Sequence, residues 1–247
     1  MGETNIIPAA TLVLYAQDGR HLMLERGADM RFAAGALVFP GGRVDEQDHQ
    51  QVAALPDISP DDAAARVAAI RETLEEAGLA IGISPQPQAD MIAAWRAKLK
   101  EGVKFADLLA EGAHELDLGA LTLFARWCPR HQMSRNFDTR FYVARYDGPL
   151  EAAEADGGES VTLLWLSAEQ ALMESAEGRH KLIFPTRRNL ERLAAHPTYD
   201  EMLAHIAVTP LATITPEIKE INGEKRLIIP DGLGYPVTSA PASEGAV

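Results

Sequence analysis

Apolar positions along this chain follow two rhythms. Residues 6–15 and 21–25 are apolar runs joined by Asp18-Gly19, the pattern of two strands and a turn. Residues 36–39 predict another strand, and 121–127, 139–146 and 161–166 alternate or run apolar in the same way. Between them the period lengthens. Ala63, Val67, Ile70 and Leu74 recur at helical spacing and predict one buried face of a helix over 60–77. Ser59 suits its N-cap, Pro60 its first position, and Asp61 and Asp62 its electropositive first turn, while Gly78 stands where a helix stops. Residues 88–100 and 104–112 predict a helical pair, with Trp95 and Leu99 one turn apart. Further helices are expected over 168–177, 188–195 and 199–206.

The character changes near residue 208. Residues 213–221 and 225–229 flank Asn222-Gly223, a strong hairpin signal, and the last ten residues are small and polar, so disorder is expected there. Mixed strands and helices with long connections predict an α+β fold. The expected division is a main domain over 1–207, with a helical insert at about 85–115, and a C-terminal hairpin extension with a flexible tail over 208–247.

Charge narrows the functional classes. With 23 basic against 36 acidic residues the net charge is −13, which disfavours nucleic-acid polymers and anionic membranes as partners. A local exception lies between Ala120 and Tyr146, where Arg126, Arg130, Arg135, Arg140 and Arg145 face the single acid Asp138. Arginine suits phosphate because its planar fork donates paired hydrogen bonds; the plainer reading pairs these arginines with surface carboxylates. One cysteine, Cys128, excludes an internal disulfide and points to no zinc cluster. With no leader, no apolar run of spanning length and no peroxisomal tail, a cytoplasmic location is expected. No His-Glu-x-x-His, P-loop or Gly-x-Ser-x-Gly occurs.

The chemistry concentrates in Arg71-Glu72-Thr73-Leu74-Glu75-Glu76-Ala77-Gly78-Leu79. At about 100° per residue, Glu75 lies ~60° to one side of Glu72 and Glu76 ~40° to the other, so the three carboxylates share one helix face. Packed alone they repel, and a hard divalent cation such as Mg²⁺ or Mn²⁺ would remove that cost; a solvated acidic face is the plainer alternative. Upstream, Ala36-Leu37-Val38 leads into Phe39-Pro40-Gly41-Gly42, a strand ending in a glycine turn where backbone can approach a ligand closely.

Together, Phe-Pro-Gly-Gly, a loop and a helix carrying Arg-Glu-x-x-Glu-Glu-x-Gly resemble the Nudix box of hydrolases acting on a nucleoside diphosphate linked to another group. Three departures stand out. Thr73 replaces an aliphatic residue, Asp48 stands where the box has Glu, and 22 residues (49–70) precede Arg71 instead of seven, an excess of 15 placed in the loop at roughly 49–59. Asp48, Glu46 or neither fills the role of the loop acid. Residues 22–42, with Arg26, Arg31, Gly35 and Phe39-Pro40-Gly41-Gly42, also resemble the upstream motif of a Nudix subgroup that cleaves coenzyme A; Met23, Leu24 and Gly27 depart from it. Phe137-Asp138-Thr139-Arg140-Phe141, Gly158-Glu159 and Pro185-Thr186-Arg187 are similar to the long-insert members of that subgroup.

The resemblance implies a Nudix-type α/β/α sandwich with a mixed sheet. It implies Mg²⁺ or Mn²⁺ on Glu72, Glu75 and Glu76, with the Gly41 carbonyl and Glu159 as further ligands. Glu72 or the distal acid Glu159 would activate water, Arg71 would orient the glutamates, and Arg26, Arg31, Arg140 and Gly42 would meet substrate. The expected substrate is coenzyme A or an acyl-CoA; ADP-ribose, nucleotide sugars and dinucleoside polyphosphates are alternatives. A Nudix-fold sensor that binds a nucleotide without hydrolysing it is the rival from another class. The hairpin offers an edge strand for a homodimer, and packing on its own domain is the alternative.

Overall fold

The structure, a computed structural model, describes residues 6–27, 34–50, 58–129, 136–157 and 160–245. In chain order the first half comprises β1 (Ile6–Ala16), β2 (His21–Arg26), β3 (Leu37–Val38), β4 (Gly41–Arg43), α1 (Glu46–Gln50), α2 (Pro60–Ala77), β5 (Ile83–Ser84), α3 (Ala89–Lys100), α4 (Phe105–Glu111) and β6 (Glu115–Leu116). There follow β7 (Thr122–Trp127), β8 (Asn136–Tyr146), β9 (Ser160–Leu166), α5 (Ala168–Ala176), α6 (Phe184–Ala194), α7 (Tyr199–Val208), β10 (Thr213–Ile214), β11 (Glu217–Ile221), β12 (Glu224–Ile228) and β13 (Ser239–Pro241).

The main sheet has five strands in the order β10-β7-β8-β1-β4. It is mixed: β1 runs parallel to β8 and β10 parallel to β7, while β4 and β7 pair antiparallel with β1 and β8. The long parallel pair is buried on both faces, as parallel strands are. Leu12, Leu14, Tyr142 and Ala144 point to one side and pack with Val67, Ile70 and Leu74 of α2. Val13, Tyr15, Phe141 and Val143 point to the other and pack with Leu190 and Leu193 of α6 and Met202 of α7. The sheet is thus sandwiched between helices. A smaller antiparallel sheet, β3-β2-β9, stands beside it. Among the described residues no helix is long and apolar enough to cross a membrane.

Two expectations for the C-terminal part need correction. The strand predicted over 213–221 is two strands: Thr213–Ile214 joins β7 of the main sheet, and Glu217–Ile221 forms the hairpin with β12. Pro216 separates them, since it brings no N–H to a ladder. Asn222 and Gly223 both take positive φ at the hairpin turn. The tail expected to be disordered instead forms β13 on β12, followed by a 3-10 turn over Ala242–Gly245. Small side chains suffice there. Ala240 is buried with Leu227, Ile229 and Tyr235 in the cluster that includes α6, and Arg188 of α6 reaches Glu244 at 3.2 Å.

Candidate functional site

The glutamates sit on α2, whose ends form as its sequence dictates. The Ser59 hydroxyl accepts the Asp62 N–H, and Gly78 closes the helix at φ 69° with its N–H on the Leu74 carbonyl. Thr73, at the aliphatic position of the box, is fully buried and satisfies its hydroxyl on the Ala69 carbonyl at 2.7 Å.

Beside α2 the chain turns through Phe39-Pro40 into β4, which adds to the edge of β1 with Ala10 opposite Gly42 and Thr11 opposite Gly41. This brings the glycine turn onto the carboxylates. The Gly41 N–H donates to Glu76 Oε2 at 2.9 Å. The Glu72 carboxylate lies directly over Gly42: a Cβ there would fall 2.3 Å from Glu72 Oε1. Only glycine leaves that space.

Arg71 organises the cluster from within. Its Nη1 donates to both Glu72 Oε1 and Glu75 Oε1 at 2.9 Å. Nε and Nη2 grip the two oxygens of Asp48 at 3.0 Å each, and Nη2 also donates to the Arg43 carbonyl at 3.1 Å. Asp45 approaches at 3.6 Å. Asp48 is fully buried and Glu46 exposed, so the loop acid anchors Arg71 and does not join the glutamates. Burial works against the Arg71 charge, but its hydrogen bonds to Asp48 and the charges of Glu72 and Asp48 more than restore it, so its pKa is raised. Glu72 shows the opposite imbalance. Burial pushes its carboxyl up to about 7 against the pull of Arg71, and Glu75 adds to the rise.

The donors fit a hard divalent cation in kind, being carboxylate oxygens on one helix face beside a glycine turn. They are not gathered as a coordination sphere: among the described residues no three acids or histidines converge on one point. Arg71 holds Glu72 and Glu75, and Glu76 turns to the Gly41 N–H. The expected neighbourhood of the three glutamates and the glycine turn is present; their convergence is not.

The remaining expected residues divide. Arg26 ends β2 opposite Ser160, with its backbone N–H on the Ala36 carbonyl. Arg31 and Glu159 lie outside the described residues, as do Arg130 and Arg135. The three described arginines of the island, Arg126, Arg140 and Arg145, each face a carboxylate. Arg126 forms a two-pronged pair with Asp138 at 2.8 and 2.6 Å, and Arg145 pairs with Asp200 at 2.9 Å. Arg140, expected at the substrate, turns its Nε to Asp62 at 3.8 Å. Asp62 belongs to the first turn of α2, about 15 Å along the helix from Glu72. Asp138 lies within the same stretch, but Asp62 and Asp200 lie far away in sequence, so a local count of charges could not reveal those two.

Sequence reasoning missed two members. In the sequence Asp48 stands out only as a substitute for a box glutamate, because 23 positions separate it from Arg71. No motif marks the other, Arg96 of α3, whose Nε donates to the Glu75 carbonyl at 3.1 Å. The signal that could have found it is an absence, since the last turn of α2 holds acids and no base.

Comparison with known proteins agrees with this geometry. The family model described as the NUDT19 Nudix domain matches residues 49–193, more than half of the chain. "Putative nudix hydrolase 7" of Caenorhabditis elegans is 28% identical over 197 residues, which cover 78% of this chain and 62% of that protein, so the chain spans less than two thirds of that relative. A crystal structure of a NUDIX hydrolase from Alicyclobacillus acidocaldarius matches with a TM-score of 0.70 and 28% identity over 85% of this chain and 100% of that one. The glutamate helix, its glycine turn and these matches lead to one conclusion: the chain belongs to the Nudix hydrolase family.

Proposed function

We propose that the protein is a divalent-metal-dependent hydrolase that cleaves the diphosphate of a nucleoside diphosphate linked to a second group, with coenzyme A or an acyl-CoA as the first candidate. The observation that carries this reading is the meeting of Arg71 with four carboxylates, Asp45, Asp48, Glu72 and Glu75, beside the Gly41-Gly42 turn. One guanidinium cannot neutralise four carboxylates, and Glu72, raised chiefly by its burial, is held beside Glu75 with Arg71 as their shared cation. Mg²⁺ or Mn²⁺ held by Glu72, Glu75 and Glu76, with the Gly41 carbonyl, would neutralise diphosphate charge as the bridging P–O bond breaks. The chain's own residues do the rest. Asp48 fixes Arg71, and Arg71 aligns Glu72 and Glu75. Glu72 or Glu159 accepts the proton of the attacking water as its oxygen bonds to phosphorus, and the leaving phosphate departs with the bridging oxygen. Arg26 and Arg31 meet the substrate phosphates. In this reading the partner is a small nucleotide, not a nucleic-acid polymer or a membrane, the setting is the cytoplasm, and the hairpin edge is where a homodimer would form.

The test is to incubate the protein with Mg²⁺ and coenzyme A and to follow release of 3′,5′-ADP, then to repeat with ADP-ribose, nucleotide sugars and dinucleoside polyphosphates. Release from coenzyme A supports the reading in full. Turnover of another member moves the substrate and keeps the chemistry. The rival, a nucleotide sensor without turnover, draws on the unconverged carboxylates, and nucleotide binding with no hydrolysis across the panel would establish it.

A further inference from the structure

The glutamates occupy the wrong end of their helix. Glu72, Glu75 and Glu76 crowd the last turns of α2, where the helix dipole already places negative charge and the final carbonyls lack partners within the helix. The helix supplies no base in its last turn to offset this. The helical insert does. From α3, Arg96 donates through Nε to the Glu75 carbonyl at 3.1 Å and through Nη2 to the Glu76 carbonyl at 3.5 Å. The same Nη2 donates to the Glu154 carbonyl at 2.8 Å, and the Glu154 N–H in turn donates to the Ala77 carbonyl at 2.9 Å. One turn further along α3, Lys100 donates to the Asp156 carbonyl at 2.7 Å. The guanidinium lies against Gly78, where a Cβ would come 3.2 Å from Arg96 Nη1.

We infer that Arg96 is a positioning residue for the glutamate centre, and that the α3 insert serves to clamp the end of α2 to the segment leading into β9. The inference rests on the proposed metal-dependent reading. Arg96 touches backbone, so it sets the rise and rotation at which Glu75 and Glu76 leave the helix. A loss of that hold reaches metal binding before it reaches global stability.

The experiment compares wild type with Arg96→Ala, Arg96→Lys and, as a control within the insert, Lys98→Ala, whose exposed side chain pairs with Glu111. Mn²⁺ affinity is read from the free-ion resonance signal, alongside metal half-saturation of turnover, melting temperature and hydrogen exchange. Arg96→Ala is expected to weaken Mn²⁺ binding at least tenfold and to raise the metal half-saturation equally. Exchange should quicken in 74–80 and 152–157 while the rest of the fold stays protected. Arg96→Lys should recover part of the loss, since one ammonium can meet one carbonyl, and Lys98→Ala should match wild type. If Arg96→Ala does not fold, the Arg96→Lys shift in Mn²⁺ affinity decides. Unchanged Mn²⁺ affinity in a folded Arg96 variant overturns the inference alone. A wild type that neither binds Mn²⁺ nor hydrolyses any nucleotide overturns the proposed function beneath it.

Discussion

The two oxygens of Asp48 hold the Nε and Nη2 of Arg71 at 3.0 Å each, and both side chains are buried. This pair fastens α1, which follows the glycine turn, to the helix that bears the glutamates. Removing Asp48 leaves a buried guanidinium short of its main partner, and breaking such a pair costs about 3–5 kcal/mol. Asp48→Ala is therefore expected to lose stability on that scale in chemical denaturation. Its activity should also fall when assayed well below the new melting point, because Arg71 no longer aligns Glu72 and Glu75.

Gly42 gives the opposite signature. The three atoms nearest a Cβ there all belong to the Glu72 carboxylate, Oε1 first at 2.3 Å. That carboxylate can swing aside, so Gly42→Ala should change folding stability by less than about 1 kcal/mol. Displacing a reacting group by roughly 1 Å can cost about 100-fold in rate, and kcat should drop accordingly. Paired denaturation and steady-state assays read the split.

The site was legible where its determinants are neighbours in sequence. Ser59, Pro60 and Gly78 mark the ends of α2, and Glu72, Glu75 and Glu76 show a shared face by spacing alone. The strands flanking it were readable because β1 and β8 are apolar on both faces. Long-range pairings were not. Nothing near Arg140 announces Asp62, and nothing near Asp48 announces Arg71 across the inserted loop. The tail misled because small residues read as disorder, although Ala240 needs little volume to fill its place beside Leu227.

Thr73 tests how strict the aliphatic position of the box is. Its hydroxyl bonds to the Ala69 carbonyl one turn back, a bond that adds little to a helix already made. Thr73→Val should shift stability by no more than about 1 kcal/mol and leave kcat/KM within a few-fold of wild type. A large loss in thermal denaturation would show that the hydroxyl has a structural duty beyond that bond.

His21 sets an acid limit on the fold. The ring is 1% exposed, its Nδ1 is 3.0 Å from the Leu14 carbonyl, and burial lowers its pKa to about 4. The unfolded chain, with a histidine near 6.5, binds the proton more readily than the folded one. Stability from this group is thus complete above about pH 6.5 and falls by about 3 kcal/mol as the pH drops to about 4. His21→Asn keeps a donor for Leu14 and cannot titrate there. The difference between wild-type and variant denaturation curves from pH 7 to pH 4 should carry that slope.

The most direct test of the central claim sets wild type beside Glu76→Gln in the Mg²⁺-dependent release of 3′,5′-ADP from coenzyme A, with the nucleotide panel as backup and circular dichroism to verify folding. Wild type should hydrolyse at least one nucleoside diphosphate derivative only when metal is added, and the folded Glu76→Gln should lose that turnover. Equal behaviour of the two folded proteins on every substrate, with or without metal, would contradict the account.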